Sequence, residues 1–196
     1  MPFDLAIESI ATLLIPLPIK WGFCGGWAID LFLNHITRLH KDVDIAILRT
    51  DQRLIFDFLH QRGWTLEQAV DGKLIPIQEG EILTPPVHTI WCRNAGTHPG
   101  FLEVLLNESE GDQFLFRRDH SIRCPLNQAF VTSPSGFPIL APEITLLYKS
   151  KALSPIGHSD FQAVLPLLDA PRRQWLAQAL RKLSPGHEWL NNMLVQ

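Results

Sequence analysis

The sequence predicts an α+β fold in which a mixed β-sheet with flanking helices precedes a helical C-terminal segment. Strand–helix units open the chain, short strands follow from Trp64 to Pro138, and helical patterns fill the last third. Strands grouped before helices along the sequence are typical of the α+β class. Fifteen prolines in 196 residues also cut the chain into short elements, because proline interrupts both helices and sheets.

The first half of the chain alternates between the two kinds of pattern. Apolar residues at helical spacing indicate helices, and short β-branched or aromatic runs indicate strands. The predicted elements are, in order, a helix over Phe3–Ile15, a strand over Ile19–Cys24, a helix over Trp27–Asn34, a strand over Val43–Leu48, and a helix that Thr50 or Asp51 caps and that ends near Gly63.

The second half contains short strands and then helices. The predicted strands are Thr65–Val70, Lys73–Ile77, Val87–Arg93, Phe101–Leu106, Phe114–Phe116 and Ser121–Pro125. Asp71-Gly72 is a hairpin signal between the first two of these strands. The predicted helices begin at Pro142, at a cap formed by Ser159 or Asp160, after Pro171, and after Pro185-Gly186.

Composition excludes several classes of protein. Apolar residues make up 46% of the chain and charged residues 19%, which is typical of globular proteins. The net charge of −3 argues against a nucleic-acid-binding surface. The longest apolar run, Ile10–Ile19, is too short to span a bilayer, so no membrane partner is expected. Three cysteines without a CxxC motif indicate reduced thiols and a cytoplasmic location.

A glycine pair lies where a strand meets a helix. Gly25 and Gly26 follow the strand that ends at Cys24. Backbone N–H groups at the start of a helix favour phosphate, and glycine lets a bulky anion approach the backbone closely. Asp30, on the same helix, is expected to be a solvated acid of the first turn.

Carboxylates follow on two of the predicted strands. Asp42 and Asp44 share one face of a strand, with Cα atoms about 6.6 Å apart, and hard oxygen ligands of this kind suit Mg²⁺. Glu103 points away from the apolar face of Phe101–Leu106. Spacing leaves two readings of Glu103 open: a third carboxylate of the same site, or an exposed residue on an edge strand.

The block Gly25–Asp44 resembles the nucleotide-binding signature of aminoglycoside 2''-adenylyltransferases and, next, of lincosamide nucleotidyltransferases. Both belong to the DNA polymerase β-like nucleotidyltransferase superfamily. A weaker similarity covers Pro142–Lys151 and Asp160-Phe161. The resemblance implies a nucleotidyltransferase fold, with a catalytic domain over residues 1–140 and a helical segment over residues 141–196 that packs on it.

The resemblance also assigns roles to particular residues. It implies that Gly25 and Gly26 hold the triphosphate, and that Lys149 contacts its oxygens. It implies that Asp42, Asp44 and Glu103 are the catalytic, metal-binding carboxylates, with Glu103 as ligand, base or both.

The roles of Arg38 and His40 remain open at this stage. Both lie just before the paired aspartates and are part of the resembled signature. Arg38 can bind phosphate as a nucleotide-binding residue or pair with an aspartate. Alternatively, both side chains order the loop that carries the carboxylates.

The implied activity is Mg²⁺-dependent transfer of a nucleoside monophosphate, AMP from ATP or its counterpart from another NTP, to a hydroxyl of a small molecule such as an aminoglycoside-like antibiotic. The alternatives are modification of a protein or RNA, and a catalytically silent nucleotide-binding protein. A polycationic acceptor would need an acidic cleft, for which the candidates are Glu79, Glu81, Glu108, Glu110 and Asp112. The sequence leaves the oligomeric state open.

Overall fold

The described part of the chain is built around one mixed sheet of ten strands. The computed structural model describes residues 4–70, 72–152 and 154–193. The strands are β1 (Trp21–Phe23), β2 (Asp44–Leu48), β3 (Thr65–Val70), β4 (Lys73–Pro76), β5 (Thr89–Arg93), β6 (Phe101–Glu110), β7 (Gln113–Leu115), β8 (Arg123–Pro125), β9 (Phe130–Thr132) and β10 (Pro138–Leu140). Their main order is β4-β3-β5-β6-β2-β1-β10-β9, and β7 joins the end of β6 to β8.

The sheet is mixed, as predicted. β2 runs parallel to β6 and β1 runs parallel to β10, whereas the other pairings are antiparallel. β6 lies between β5 and β2, so it is an interior strand. The register places Asp44 of β2 directly beside Glu103 of β6.

Helices cover both faces of the sheet. They are α1 (Leu5–Leu14), α2 (Gly25–Leu33), α3 (Gln52–His60), α4 (Leu126–Ala129), α5 (Pro142–Lys149), α6 (Pro155–Val164), α7 (Ala170–Leu183) and α8 (Trp189–Met193). Single 3-10 turns cover Arg49–Asp51 and Leu165–Leu167. No helix in the described part of the chain is long and apolar enough to cross a membrane.

Two apolar cores lie on opposite faces of the sheet. Ile45 and Val104 contribute to the core that α1 and α3 cover. Ala46 and Leu105 point the other way, toward the core formed with α5, α6, α7 and α8. Because side chains alternate along a strand, Asp44 and Glu103 lie on this second face, beneath the C-terminal helices.

Several element boundaries differ from the predictions. Helix α2 begins at Gly25 rather than Trp27. The predicted cap at Ser159 or Asp160 is wrong, because α6 starts earlier, where Ser154 accepts a hydrogen bond from the N–H of Gly157 (3.0 Å). The sequence did not single out α4, β9 or β10. Phe3 and the Asp71 half of the hairpin signal lie outside the described residues.

Candidate active site

The glycine pair forms the N-terminus of α2. Gly25 has a φ of 63°, a left-handed conformation that glycine adopts without strain. The Cys24 N–H donates to the carbonyl of Asp44 (2.9 Å), which ties the start of this helix to the start of β2. No side chain caps α2 at Cys24. The helix therefore presents uncapped N–H groups, which favour an anion.

Close packing of neighbouring side chains also favours glycine at both positions. A Cβ atom on Gly25 would overlap Oδ2 of Asp44, and a Cβ atom on Gly26 would overlap the side chains of Arg38 and His40. The two glycines thus let a carboxylate and a guanidinium approach the same helix terminus. A serine at position 26 would collide with both neighbouring side chains in this arrangement.

Asp44 and Glu103 form the acidic centre of the site. They are neighbours on parallel strands about 4.8 Å apart. Burial, then the charge of Glu103 and a hydrogen bond to it, and then the charge of Asp42, raise the pKa of Asp44. Asp44 Oδ1 is buried without a hydrogen-bond partner. An acidic pair with an unsatisfied oxygen favours a bound cation.

The interior position of β6 contradicts one of the two predictions for Glu103, that of an exposed residue on an edge strand. β5 and β2 flank β6 on its two sides, so Glu103 is not on an edge strand. The side chain is half-buried and faces Asp44. Glu103 therefore lies where a third carboxylate of the site is expected.

Asp42 is placed differently from the prediction. β2 begins at Asp44, so Asp42 lies in the preceding loop and is exposed. The indole N–H of Trp27 donates to its backbone carbonyl (3.1 Å) and holds that loop against α2. The described residues contain no group of three or more His, Cys, Asp or Glu side chains arranged to hold a metal ion. The structure thus brings two of the three predicted carboxylates into direct register.

Asp30 is not the solvated first-turn acid that was expected. It is fully buried. It accepts hydrogen bonds from the Thr37 hydroxyl (2.6 Å), the Thr37 N–H (3.1 Å) and His40 Nε2 (2.6 Å). Burial acts in the opposite direction, but the hydrogen bonds from His40 and Thr37 lower the pKa of Asp30. Asp30 is therefore the anchor of the loop that leads to Asp42.

His40 and Arg38 differ in what they contact. The His40 ring packs against Trp27 in a tilted arrangement (4.3 Å between centroids) and binds Asp30, which matches a role in ordering the loop. Arg38 lies over Gly26, its Nε is buried without a partner, and its Nη1 reaches only the Leu39 carbonyl (3.4 Å). No carboxylate among the described residues pairs with Arg38. Its guanidinium is available to an anion at the α2 terminus.

Lys149 reaches the same site from α5. Its Nζ lies 2.9 Å from Oδ2 of Asp160 on α6. Its positive charge opposes the rise in the pKa of Asp44, so the lysine lies within electrostatic range of the acidic pair. Lys149 and Gly25 both line one cavity of about 270 Å³. Sequence reasoning had treated Asp160 as a helix cap and missed this ion pair.

That cavity lies over the sheet face that carries Ala46 and Leu105. Thr145, Tyr148 and Lys149 of α5 form part of its wall. The Tyr148 hydroxyl donates to Asn107 Oδ1 (3.1 Å), and the Asn107 amide donates to the carbonyl of Ile47 (3.2 Å). Sequence reasoning did not single out Asn107, because strands and helices remote in sequence assemble the cleft.

A second cavity adjoins the loop that carries Asp42. It has a volume of about 260 Å³, and its lining includes Asp4, Trp27, Asp42 and Phe101. By contrast, two of the acidic residues predicted to form a cleft pair with arginines: Glu108 with Arg49 (2.7 Å) and Glu110 with Arg123 (3.2 Å). Glu81 instead accepts hydrogen bonds from Gln68 and from the N–H of Gln78.

Comparison with known proteins agrees with this geometry. The family model for aminoglycoside-2''-adenylyltransferase matches residues 6–87. The crystal structure of ANT(2")-Ia with adenylyl-2"-tobramycin superposes with a TM-score of 0.60 at 13% identity, over 91% of this chain and 97% of that one. Lincomycin-bound LnuA, a lincosamide antibiotic adenylyltransferase, gives 0.59 at 16% identity, over 84% and 98%. No curated protein matches.

These findings confirm the resemblance predicted from the Gly25–Asp44 block, which lies inside the matched range. They also confirm the α+β nucleotidyltransferase fold, since the structural likeness spans most of this chain and of both neighbours. The family model adds a likeness in sequence over residues 6–87.

Proposed function

Because the chain resembles the aminoglycoside-2''-adenylyltransferases and has a nucleotidyltransferase fold, we propose that it transfers AMP from ATP to a hydroxyl of a small antibiotic in a Mg²⁺-dependent reaction. The observation that carries the proposal is the acidic pair of Asp44 and Glu103 beside an uncapped helix N-terminus. Carboxylates for a metal and N–H groups for phosphate are the two things that phosphoryl chemistry needs in one place.

The carboxylates fit a divalent ion. Asp44 and Glu103 would hold Mg²⁺ together, with Asp42 supplying a further oxygen from the adjoining loop. Their oxygens are the ligands that Mg²⁺ prefers, and the buried Oδ1 of Asp44 lacks any other partner. An ion held there would neutralise charge on the reacting phosphate and on the pyrophosphate leaving group.

The triphosphate would lie across the N-terminus of α2. Gly25 and Gly26 provide backbone donors there, and Arg38 provides a guanidinium without a carboxylate partner. Lys149 would approach from the opposite side, kept in place by Asp160. The nucleoside would occupy the cavity of about 270 Å³ that Gly25, Tyr148 and Lys149 line, which we call the nucleotide cleft.

Transfer requires an acceptor hydroxyl in line with the leaving group. Its oxygen attacks the α-phosphorus, the bond to the bridging oxygen of the β-phosphate breaks, and pyrophosphate leaves. Glu103 takes the hydroxyl proton as general base. The cavity beside Asp42 would hold the acceptor, since it adjoins the loop that carries this carboxylate. Two carboxylates, Asp4 and Asp42, share its lining with one lysine, Lys41, and therefore favour a cationic acceptor.

The acceptor class follows from the structural neighbours and from this lining. Tobramycin and lincomycin, the antibiotics of the two matched structures, both carry hydroxyl groups and a basic amine. We propose an antibiotic of this kind as the substrate and antibiotic resistance as the role, with residues 1–140 as the catalytic domain and residues 141–196 as the segment that closes the nucleotide cleft. A cytoplasmic location supplies the ATP and the reduced environment.

The deciding experiment is an acceptor panel incubated with each NTP and Mg²⁺, followed by mass spectrometry of the acceptor and a pyrophosphate assay. We expect an adenylylated aminoglycoside or lincosamide with wild type and with Asp57→Asn, an exposed control whose only ion-pair partner in the described structure is Arg53. Asp44→Asn should give no product. ATP binding without pyrophosphate release for any acceptor would instead indicate a catalytically silent nucleotide-binding protein. Labelling of a protein or an RNA would indicate an enzyme that modifies that macromolecule.

A further inference from the structure

A third cavity lies between the N-termini of α5 and α7 and the β8–α4 corner, on the side of α5 away from the nucleotide cleft. Its volume is about 350 Å³. Glu143, in the first turn of α5, contributes to its lining, whereas Thr145, Tyr148 and Lys149 of the same helix line the nucleotide cleft. At about 100° per residue, these two sets point in opposite directions from the helix axis.

Glu143 is a buried carboxylate with an unsatisfied oxygen. The residue is 6% exposed, and its Oε2 has no hydrogen-bond partner. The nearest cation is Arg172, whose Nε lies 3.9 Å from Oε1, beyond hydrogen-bond distance. Burial raises the pKa of Glu143 to about 7. Leaving a carboxylate oxygen buried and unpaired is costly unless a ligand supplies the missing donor.

The charges around the cavity do not balance without a further cation. Arg172 also lies 3.8 Å from Oδ2 of Asp169, so a single guanidinium faces two carboxylates. Asp169 additionally caps α7 through the N–H of Arg172 (2.9 Å). Burial raises the pKa of the Cys124 thiol to about 12, so that neighbour is neutral. When Glu143 is ionised, the lining is therefore short of one positive charge.

The remaining lining suits a polar ring. The side chains of Asn127 and Gln128 are exposed at the cavity and offer amide donors and acceptors. The Trp175 indole is held by its hydrogen bond to the Arg123 carbonyl (3.0 Å). An aromatic surface beside amides and a carboxylate matches a hydroxylated ring that carries an ammonium group.

We propose that this cavity binds a small amino sugar, with its ammonium group donating to Glu143 Oε2 and its hydroxyls contacting Asn127 and Gln128. The site is separate from the proposed active site, because it lies on the opposite side of α5. It does not depend on the transfer activity, so its test can succeed or fail whatever the outcome of the acceptor panel.

The test is isothermal titration with glucosamine as the probe, with N-acetylglucosamine and glucose as uncharged comparisons. Wild type should bind glucosamine at least about tenfold more tightly than either neutral sugar, the scale of one charge-assisted hydrogen bond. Glu143→Gln should lose this preference by a similar factor. Glu79→Gln, at an exposed position, and Asp44→Asn, in the proposed active site, should bind glucosamine as wild type does.

Three results would overturn the proposal: no binding of glucosamine to wild type, equal binding by Glu143→Gln, or loss of binding in Asp44→Asn with Glu143→Gln unaffected. The last result would place the amine in the proposed active site. If Glu143→Gln does not fold, Gln128→Ala decides, because its exposed side chain is not needed for folding. Weaker binding of glucosamine by Gln128→Ala supports the site, and unchanged binding rejects it.

Discussion

Replacement of Asp44 by asparagine should abolish nucleotide transfer and yet make the metal-free protein more stable at neutral pH. Asp44 lies beside Glu103 in the sheet, and burial together with the charges of Glu103 and Asp42 raises its pKa to about 7. An aspartate in an unfolded chain titrates near pH ~3.9. Ionised Asp44 therefore disfavours the folded state, whereas asparagine has nearly the same shape and no charge.

The pH dependence follows from proton binding. Because the pKa is higher in the folded state, the folded protein binds more protons between about pH 4 and pH 7, and its free energy of unfolding falls as pH rises through that window. Each pH unit of the window corresponds to ~1.4 kcal/mol. Asp44 is only half-buried and solvent screens part of the repulsion, so we expect Asp44→Asn to gain ~1–3 kcal/mol at pH 8 and almost nothing at pH 4.

Urea denaturation in EDTA at both pH values measures the difference. Asp57→Asn is the matched control, since its exposed pair with Arg53 (3.6 Å) contributes less than ~1 kcal/mol at either pH. The reasoning about charge fails if Asp44→Asn is less stable than wild type at pH 8, or if the difference does not depend on pH. The metal assignment fails if Asp44→Asn transfers AMP at the wild-type rate.

Three other substitutions test neighbouring parts of the site. Glu103→Gln should lower kcat for nucleotide transfer at least ~10²-fold. An unchanged kcat would show that Glu103 takes no part in the reaction. Lys149→Ala should weaken Mg-ATP binding ~10–100-fold, as measured by calorimetry. Lys151→Ala, at an exposed position, should leave the affinity unchanged. A loss of affinity confined to Lys151→Ala would show that Lys151 binds the nucleotide instead. Asp30→Ala should cost ~2–4 kcal/mol in urea denaturation because it removes the partner of His40, and a change below ~1 kcal/mol would contradict the anchoring role.

Local signals in the sequence were sufficient to predict elements whose terminal residues are typical of the start or end of a helix or strand. Thr65–Val70 forms a strand with the predicted bounds, and Pro142 opens α5 at the first helical position. The start of α6 was missed because Ser159 and Asp160 are equally good caps by residue type. Ser154 caps the helix instead, since Pro155 follows it and proline suits the first turn.

Short strands with little alternation were beyond sequence reasoning. β9 and β10 have three residues each, and their pairing with each other and with β1 gives them their conformation. Hydrogen bonding to a strand more than a hundred residues away in sequence has no local signature. α4, a single turn between β8 and β9, was not predicted for the same reason.

The sequence by itself indicated the groups of the candidate site: a glycine pair at the start of a helix, an aspartate at the start of a strand, and an acid inside an apolar strand. These depend on residue type and on the two-residue period of strands, which are local properties. Only the tertiary structure decided how the groups combine. Parallel pairing of β2 with β6 places Glu103 beside Asp44. Asp30, predicted to be a solvated acid, is buried and anchors the loop. The packing of α5 on α6 brings Lys149 to Asp160. Contacts between elements distant in sequence set these distances and burials, and no window of neighbouring residues contains them.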